Sequence, residues 1–133
     1  MTANSTTPHV PVSWGELIDK ITILQIKRER LESQSALANV KRELDALSVL
    51  ADPVLAGDAQ ATAVTAKLKA VNESLWDIED RIRAKESAKA FDAEFIELAR
   101  SVYIRNDERA ALKKQLNIRL ASELTEEKSY KPY

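Results

Sequence analysis

The 133-residue chain has no cysteine and a single histidine, His9. Disulfides, thiol nucleophiles and Cys/His zinc or haem sites built by one chain are thereby excluded. Glycine is equally scarce: Gly15 and Gly57 are the only two. A Walker loop and a dinucleotide fingerprint each need more glycine in one place, so neither is present. No apolar run approaches the roughly 20 residues that span a bilayer, so no membrane span is expected. Met1–Val12 has neither the basic nor the apolar region of a signal peptide, which points to the cytoplasm. One sign of charge does not dominate either. Lys+Arg is 20 and Asp+Glu is 21, for a formal net charge of −1. The balance is local, with six basic and six acidic residues from Ser13 to Leu50. A nucleic-acid binder concentrates positive charge on a face or segment, so nucleic acid is not an expected partner.

What the chain has is helix formers. Hydrophobic residues make up 44% and charged residues 31%, enough for a core and a solvated surface. Alanine, leucine, lysine, glutamate and arginine dominate, and no stretch of alternating β-branched residues suggests a strand pair. The expected fold is all-α, a four-helix antiparallel bundle or a pair of helical hairpins. A single helical domain is expected over residues 13–122, between a flexible N-terminal tail, 1–12, and a polar C-terminal tail, 123–133.

The helices are read from caps and periodicity. Ser13 and Glu16 have the spacing of a capping box, opening a first helix over Trp14–Leu31. Its apolar positions Leu17, Ile18, Ile21, Ile23, Leu24, Ile26 and Leu31 are wider than one stripe. That width suggests a homodimer. Ser33-Gln34-Ser35 interrupts the pattern, and Leu37, Val40, Leu44 and Leu47 carry a second helix over Ser35–Leu50. Pro53 and Gly57 then mark a connection over Ala51–Gln60, with all four prolines acting as punctuation. The third helix repeats Val64, Leu68, Val71, Leu75, Ile78 and Ile82 at alternating spacings of four and three, a seam for antiparallel packing. Asp92 reads as the N-cap of a fourth helix, with Phe91 stapled to Ile96.

Beside the third helix's seam lies a polar and aromatic stripe: Asn72, Trp76, Glu79, Arg83 and Glu86. The fourth helix offers a facing stripe of Tyr103, Asn106, Ala110, Lys113 and Asn117, with Arg100 and Asp107 one step round. Half-buried amides and carboxylates need partners, so these residues form either an ion-pair network or the wall of a polar ligand site. Asn72, Trp76, Glu79, Arg83, Arg100, Tyr103, Asn106 and Lys113 are the candidate site. The first helix adds Asp19, Lys20 and the basic run at Lys27, Arg28 and Arg30, placed to complement its macrodipole. Glu79/Asp80 and Glu94/Glu97 are the carboxylate pairs that could hold Mg²⁺, although acidic residues near a helix start are favoured by the dipole alone. No resident metal and no cofactor is expected.

Two all-helical enzyme classes bear a partial likeness. Ile18-Asp19-Lys20-Ile21 followed by Lys27, Arg28 and Arg30 resembles the first helix of chorismate mutases, in which cations clamp a dicarboxylate. Glu94 and Glu97 resemble the first carboxylate pair of all-α nucleotide pyrophosphohydrolases, but no second pair follows.

Wider stretches resemble a family of short, all-helical bacterial proteins of unknown function. They are Val12-Ser13-Trp14-Gly15-Glu16-Leu17-Ile18-Asp19-Lys20-Ile21-Thr22-Ile23-Leu24, Leu37-Ala38-Asn39-Val40, Asn72 through Asp80, Phe91 through Asp107, and Glu126-Glu127-Lys128-Ser129-Tyr130. The resemblance implies a soluble helical protein, and some members are encoded near surface-polysaccharide glycosyltransferase genes. It implies a proline at the junction of the first two helices, where this chain has Ser33-Gln34-Ser35. Two functions follow from the residues. The first is a non-catalytic binding module for a protein partner or a small anionic ligand. The second is a small-anion enzyme that holds substrate with Arg83, Arg100 and Lys113 and uses Glu79 as acid or base.

Overall fold

The computed structural model describes residues 6–133. Of the expected N-terminal tail, residues 1–5 lie outside the described residues, and 6–12 are exposed. Four α-helices follow: α1 Trp14–Arg30, α2 Gln34–Ala56, α3 Ala59–Ser87 and α4 Ala93–Arg119. The expected all-α architecture is present. α3 and α4 pair along their length, α1 pairs with α2, and α1 also packs on α3 and α4.

α1 is therefore the central element, and this explains its wide apolar surface. Ile18, Ile21 and Leu24 are buried in one cluster with Val40 and Leu44 of α2, Leu68 of α3 and Leu116 of α4. Each large aliphatic side chain so buried contributes about 1.5–3 kcal/mol. Most of the wide apolar surface of α1 is covered by α2, α3 and α4 of the same chain, while Ile23 stays half-buried.

Serine and aspartate set the helix starts. Ser33 caps α2 through Ala36 N–H, Asp58 caps α3 through Gln60 and Ala61 N–H, and Asp92 caps α4 through Phe95 N–H. The break between α1 and α2 falls at 31–33, with Leu31 extended. Two readings are corrected. Pro53 lies inside α2, so the connection expected over Ala51–Gln60 shrinks to Gly57 and Asp58. Ala51 is fully buried and Leu55 packs on the core, which holds the helix past the proline. Pro53 sits in the last turn and removes only its own bond, to a carbonyl on the exposed Val49. The staple from Phe91 to Ile96 is also replaced: both are more than half exposed, and the Phe91 ring stands edge-on to Phe95 at 5.2 Å.

The helices differ in reach. α3 has 29 residues and α4 has 27, against 17 in α1. At 1.5 Å per residue α3 spans about 43 Å and α1 only about 25 Å. Arg30, the last residue of α1, meets Asp77 on α3. Past that point α3 and α4 continue together, with Ile78 and Leu98 buried and Lys85 reaching Asp92 and Glu94.

Candidate functional site

The N-terminus of α1 is locked onto the C-terminal turns of α4. Ser13 Oγ accepts from Glu16 N–H at 3.1 Å, Asn117 Oδ1 from Gly15 N–H at 2.6 Å, and Ser122 Oγ from Trp14 N–H at 2.7 Å. Leu17 N–H bonds the Ser13 carbonyl. The free amides of the first three helical residues, Trp14, Gly15 and Glu16, are all satisfied within the protein. Gly15 is required by this contact: a Cβ there would run into the Lys113 carbonyl oxygen and lie 2.8 Å from Asn117 Oδ1. The expected capping box is half formed. Glu16 sends its carboxylate to Lys113 Nζ, 2.8 Å away.

One helical turn further along α1, a polar network crosses the core. Asp19 is 1% exposed. Its carboxylate accepts from Arg109 Nε at 2.9 Å, from a terminal nitrogen of Arg109 at 2.6 Å, and from Asn72 Nδ2 at 2.9 Å. Asn72 Nδ2 also donates to Thr22 Oγ1, which donates to the Asp19 carbonyl. Three helices are thereby joined at one carboxylate. The hydrogen bond to Asp19, opposed by burial, holds the Arg109 guanidinium above its ordinary pKa. Lys113, also buried, is bonded by Glu16 and by Glu126 of the C-terminal tail at 3.2 Å. Burial pulls its pKa down, but the two carboxylates outweigh that and leave it raised. No buried side-chain polar atom is left unpartnered among the described residues.

The candidate residues separate into three places. Asn72, Trp76, Glu79 and Asn106 line one cleft of about 280 Å³, together with Arg109 and the apolar Ile23, Ile26, Leu75 and Val102. The Arg30 guanidinium lies over the Trp76 ring, 5.9 Å from its centre. Arg83 and Arg100 lie outside the cleft. Arg83 makes an exposed pair with Glu79 at 2.8 Å, while Arg100 approaches Glu97 at 3.6 Å. The Arg100 pKa is raised, first by its hydrogen bond to Tyr103 and then by Glu97. Lys113 belongs to the cluster at the start of α1, about 20 Å along α4 from Arg100. The stripe along α3 thus turns outward, from buried Asn72 to exposed Glu79, Arg83 and Glu86, because α1 ends opposite Asp77.

Asp19, Thr22 and Arg109 carry the network and were not among the candidates. The signal for Asp19 was its position between Ile18 and Ile21, inside the apolar stripe of α1. Nothing comparable marks Arg109, which sits among other charged residues. The carboxylate pairs weighed for Mg²⁺ face protein cations instead: Glu94 meets Lys85 and Arg81, and Glu97 meets Arg100. No group of three or more metal-ligating side chains forms among the described residues, and no helix there is long and apolar enough to cross a membrane.

The C-terminal segment does not extend into solvent. It runs back along α4, with Glu126 at Lys113 and the Tyr133 ring edge-on to Tyr103 at 5.0 Å. The Tyr133 hydroxyl is bonded to Asp107, whose negative charge raises the pKa of the phenol. Between the segment and α4 lies a groove of about 890 Å³.

A family model described as a family of unknown function (DUF6165) matches residues 8–133. No curated protein and no solved structure matches the chain.

Proposed function

We propose, on the premise that the chain belongs to this family of unknown function, that it is a non-catalytic binding module whose cleft between α1, α3 and α4 receives a protein partner. The observation that carries this reading is the pairing of the charges around the cleft. Arg109 is neutralised by Asp19, and the Asn72 amide is spent on Asp19 and Thr22. Catalytic acids and bases are commonly ionisable groups whose pKa is matched to their task by the site, and the charges around this cleft are instead spent on structural partners. Here the lining that remains is apolar, with Trp76, the Asn106 amide and the Glu79 carboxylate at its margins. Such a cleft suits one large apolar or aromatic side chain with a hydrogen-bonding edge. The cations assigned to a small-anion enzyme are each opposed by a carboxylate: Arg83 by Glu79, Arg100 by Glu97, and Lys113 by Glu16 and Glu126.

We propose further that the partner belongs to surface-polysaccharide biosynthesis, supported by the gene neighbourhood that the resemblance implies, and that the two meet in the bacterial cytoplasm, supported by the lack of a signal-peptide pattern in Met1–Val12. The test is affinity capture from a cell extract with the wild-type chain and with Ile23→Arg. Ile23 is half-buried and lines the cleft, so an arginine there fills it. A partner should be retained by the wild type and lost with the variant, whose circular dichroism stays helical. Capture that ignores the substitution overturns the reading.

A further inference from the structure

We propose that the groove between α4 and the C-terminal segment is a nucleotide site, taking a flat heteroaromatic ring that carries one or two phosphates. This goes beyond the partner cleft and does not rest on it.

The chain has three tyrosines, and all of them, Tyr103, Tyr130 and Tyr133, line this groove. Tyr130 is 78% exposed and Tyr133 76%, against 43% for Tyr103; Lys128 Nζ covers one side of the Tyr130 ring at 5.4 Å, and Tyr133 meets Tyr103 only edge-on. Aromatic faces left open beside one another are stacking platforms, and a base stacked on one gains about 1–3 kcal/mol. The groove also has a charge. Lys128 and Lys131 line it, and neither enters an ion pair among the described residues. Their neighbours on α4 differ: Arg105 is held by Glu108, Arg109 by Asp19, and Lys113 by Glu16 and Glu126. Among the described residues the one acidic side chain lining the groove, Asp107, is engaged by the Tyr133 hydroxyl. Two ammonium groups outside any ion pair, that of Lys128 standing over the Tyr130 ring, suit a phosphate attached to a planar ring.

Size and charge narrow the class. A volume of about 890 Å³ lies within the range of small-molecule sites and exceeds that of a single ring. Two lysines suit one or two phosphates, and a formal net charge of −1 disfavours a long polyanion. A neutral oligosaccharide would use the tyrosines and leave the lysines idle. Asn106 stands at the groove's inner wall as a hydrogen-bonding group for the base or sugar.

The experiment is a fluorescence titration of the full chain with N-methylanthraniloyl-ADP, followed by displacement with unlabelled ADP, adenosine, inorganic phosphate and maltohexaose. ADP should displace the probe at least tenfold more effectively than adenosine or phosphate, and maltohexaose should not displace it. Raising the salt concentration should weaken ADP binding. The variant Lys128→Ala/Lys131→Ala should lose at least tenfold in ADP affinity while its adenosine affinity is unchanged. Tyr130→Ala should weaken ADP and adenosine alike. These side chains are exposed and outside the core, so helicity is retained. Ile23→Arg, in the partner cleft, should bind ADP as the wild type does, which keeps failure of one site distinguishable from failure of the other. Absence of ADP displacement, displacement by maltohexaose, or full ADP affinity in the double lysine variant overturns the proposal.

Discussion

Arg109 closes on Asp19 with two donors, and the Asp19 side chain is 2% accessible while that of Arg109 is 31% accessible. The pair is asymmetric: the anion lies in the core and the cation reaches it from the edge. A buried carboxylate is costly unless its acceptor sites are filled, and here α4 supplies two donors and α3 a third. The arrangement works best with α1, α3 and α4 in one register, which places the walls of the cleft as well as the core.

Removing one partner should therefore cost more than replacing both. Arg109→Ala leaves Asp19 buried with only the Asn72 amide, and should lower stability by about 3–5 kcal/mol. Asp19→Leu/Arg109→Met, which exchanges the pair for apolar side chains, should recover most of that loss. Urea unfolding of the wild type and the two variants measures the difference. Equal destabilisation by both would show that the pair is stabilising in itself.

The contact between Gly15 and α4 gives a second prediction. Asn117→Ala removes the acceptor for Gly15 N–H and should cost about 0.5–2 kcal/mol, the usual effect of losing a cap. Gly15→Ala should cost at least as much, despite alanine's better helix propensity, because the new methyl meets the Lys113 carbonyl. Thermal unfolding should show both variants below the wild type. A Gly15→Ala chain as stable as the wild type would mean that α1 and α4 approach less closely than this.

Acid should act through the helix caps. Asp58 is held below its ordinary pKa, first by Arg119 and then by the Ala61 amide. Asp92 is lowered likewise, by Lys85 and then by the Phe95 amide. A lowered folded-state value means the contribution is fully present above the unfolded value, about 3.9, and is lost as pH falls through the folded one. Lys85 runs the other way: Asp92 raises it, so its contribution holds below about 10.4 and is lost as pH rises through the folded value. Asp92 is exposed, Asp58 is half-buried with its Arg119 partner half exposed, and the effects are small. Asp58→Asn keeps a capping oxygen but loses the charge, so its deficit in urea midpoint should be larger at pH 7 than at pH 3. A deficit independent of pH would remove the charge from the explanation.

The sequence pattern made four helices legible because caps and periodicity are local. Ser13, Asp92 and the seam of α3 each announced themselves within a few residues. The C-terminal end of α2 was not legible, since what carries the helix past Pro53 is the burial of Ala51 and the packing of Leu55 on the core. The site was partly legible for a similar reason. Asn72, Trp76, Glu79 and Asn106 fell together because the facing stripes of α3 and α4 do meet. Arg83 and Arg100 did not join them, because the extent of α1 decides which part of a stripe is covered. The pairing of Asp19 with Arg109 spans 90 residues of chain and leaves no local mark.

Pro53 supplies the last prediction. A proline that ended α2 would be needed for the turn, and replacing it would disturb the chain reversal before α3. In the structure the reversal is made at Gly57 and Asp58, and Asp58 is fixed as the α3 cap and as the partner of Arg119 at 2.9 Å. Pro53 is exposed and inside the helix. Pro53→Ala restores the hydrogen bond to the Val49 carbonyl and removes the ring's clash with it, gains of up to about 3 kcal/mol in a helix interior. Freeing the unfolded chain offsets roughly 0.4–1 kcal/mol of this. The last turn of a helix frays, which reduces the gain further. The variant should be more stable than the wild type by about 1 kcal/mol, seen as a higher urea midpoint with an unchanged slope. A loss of stability would assign the proline to the turn after all.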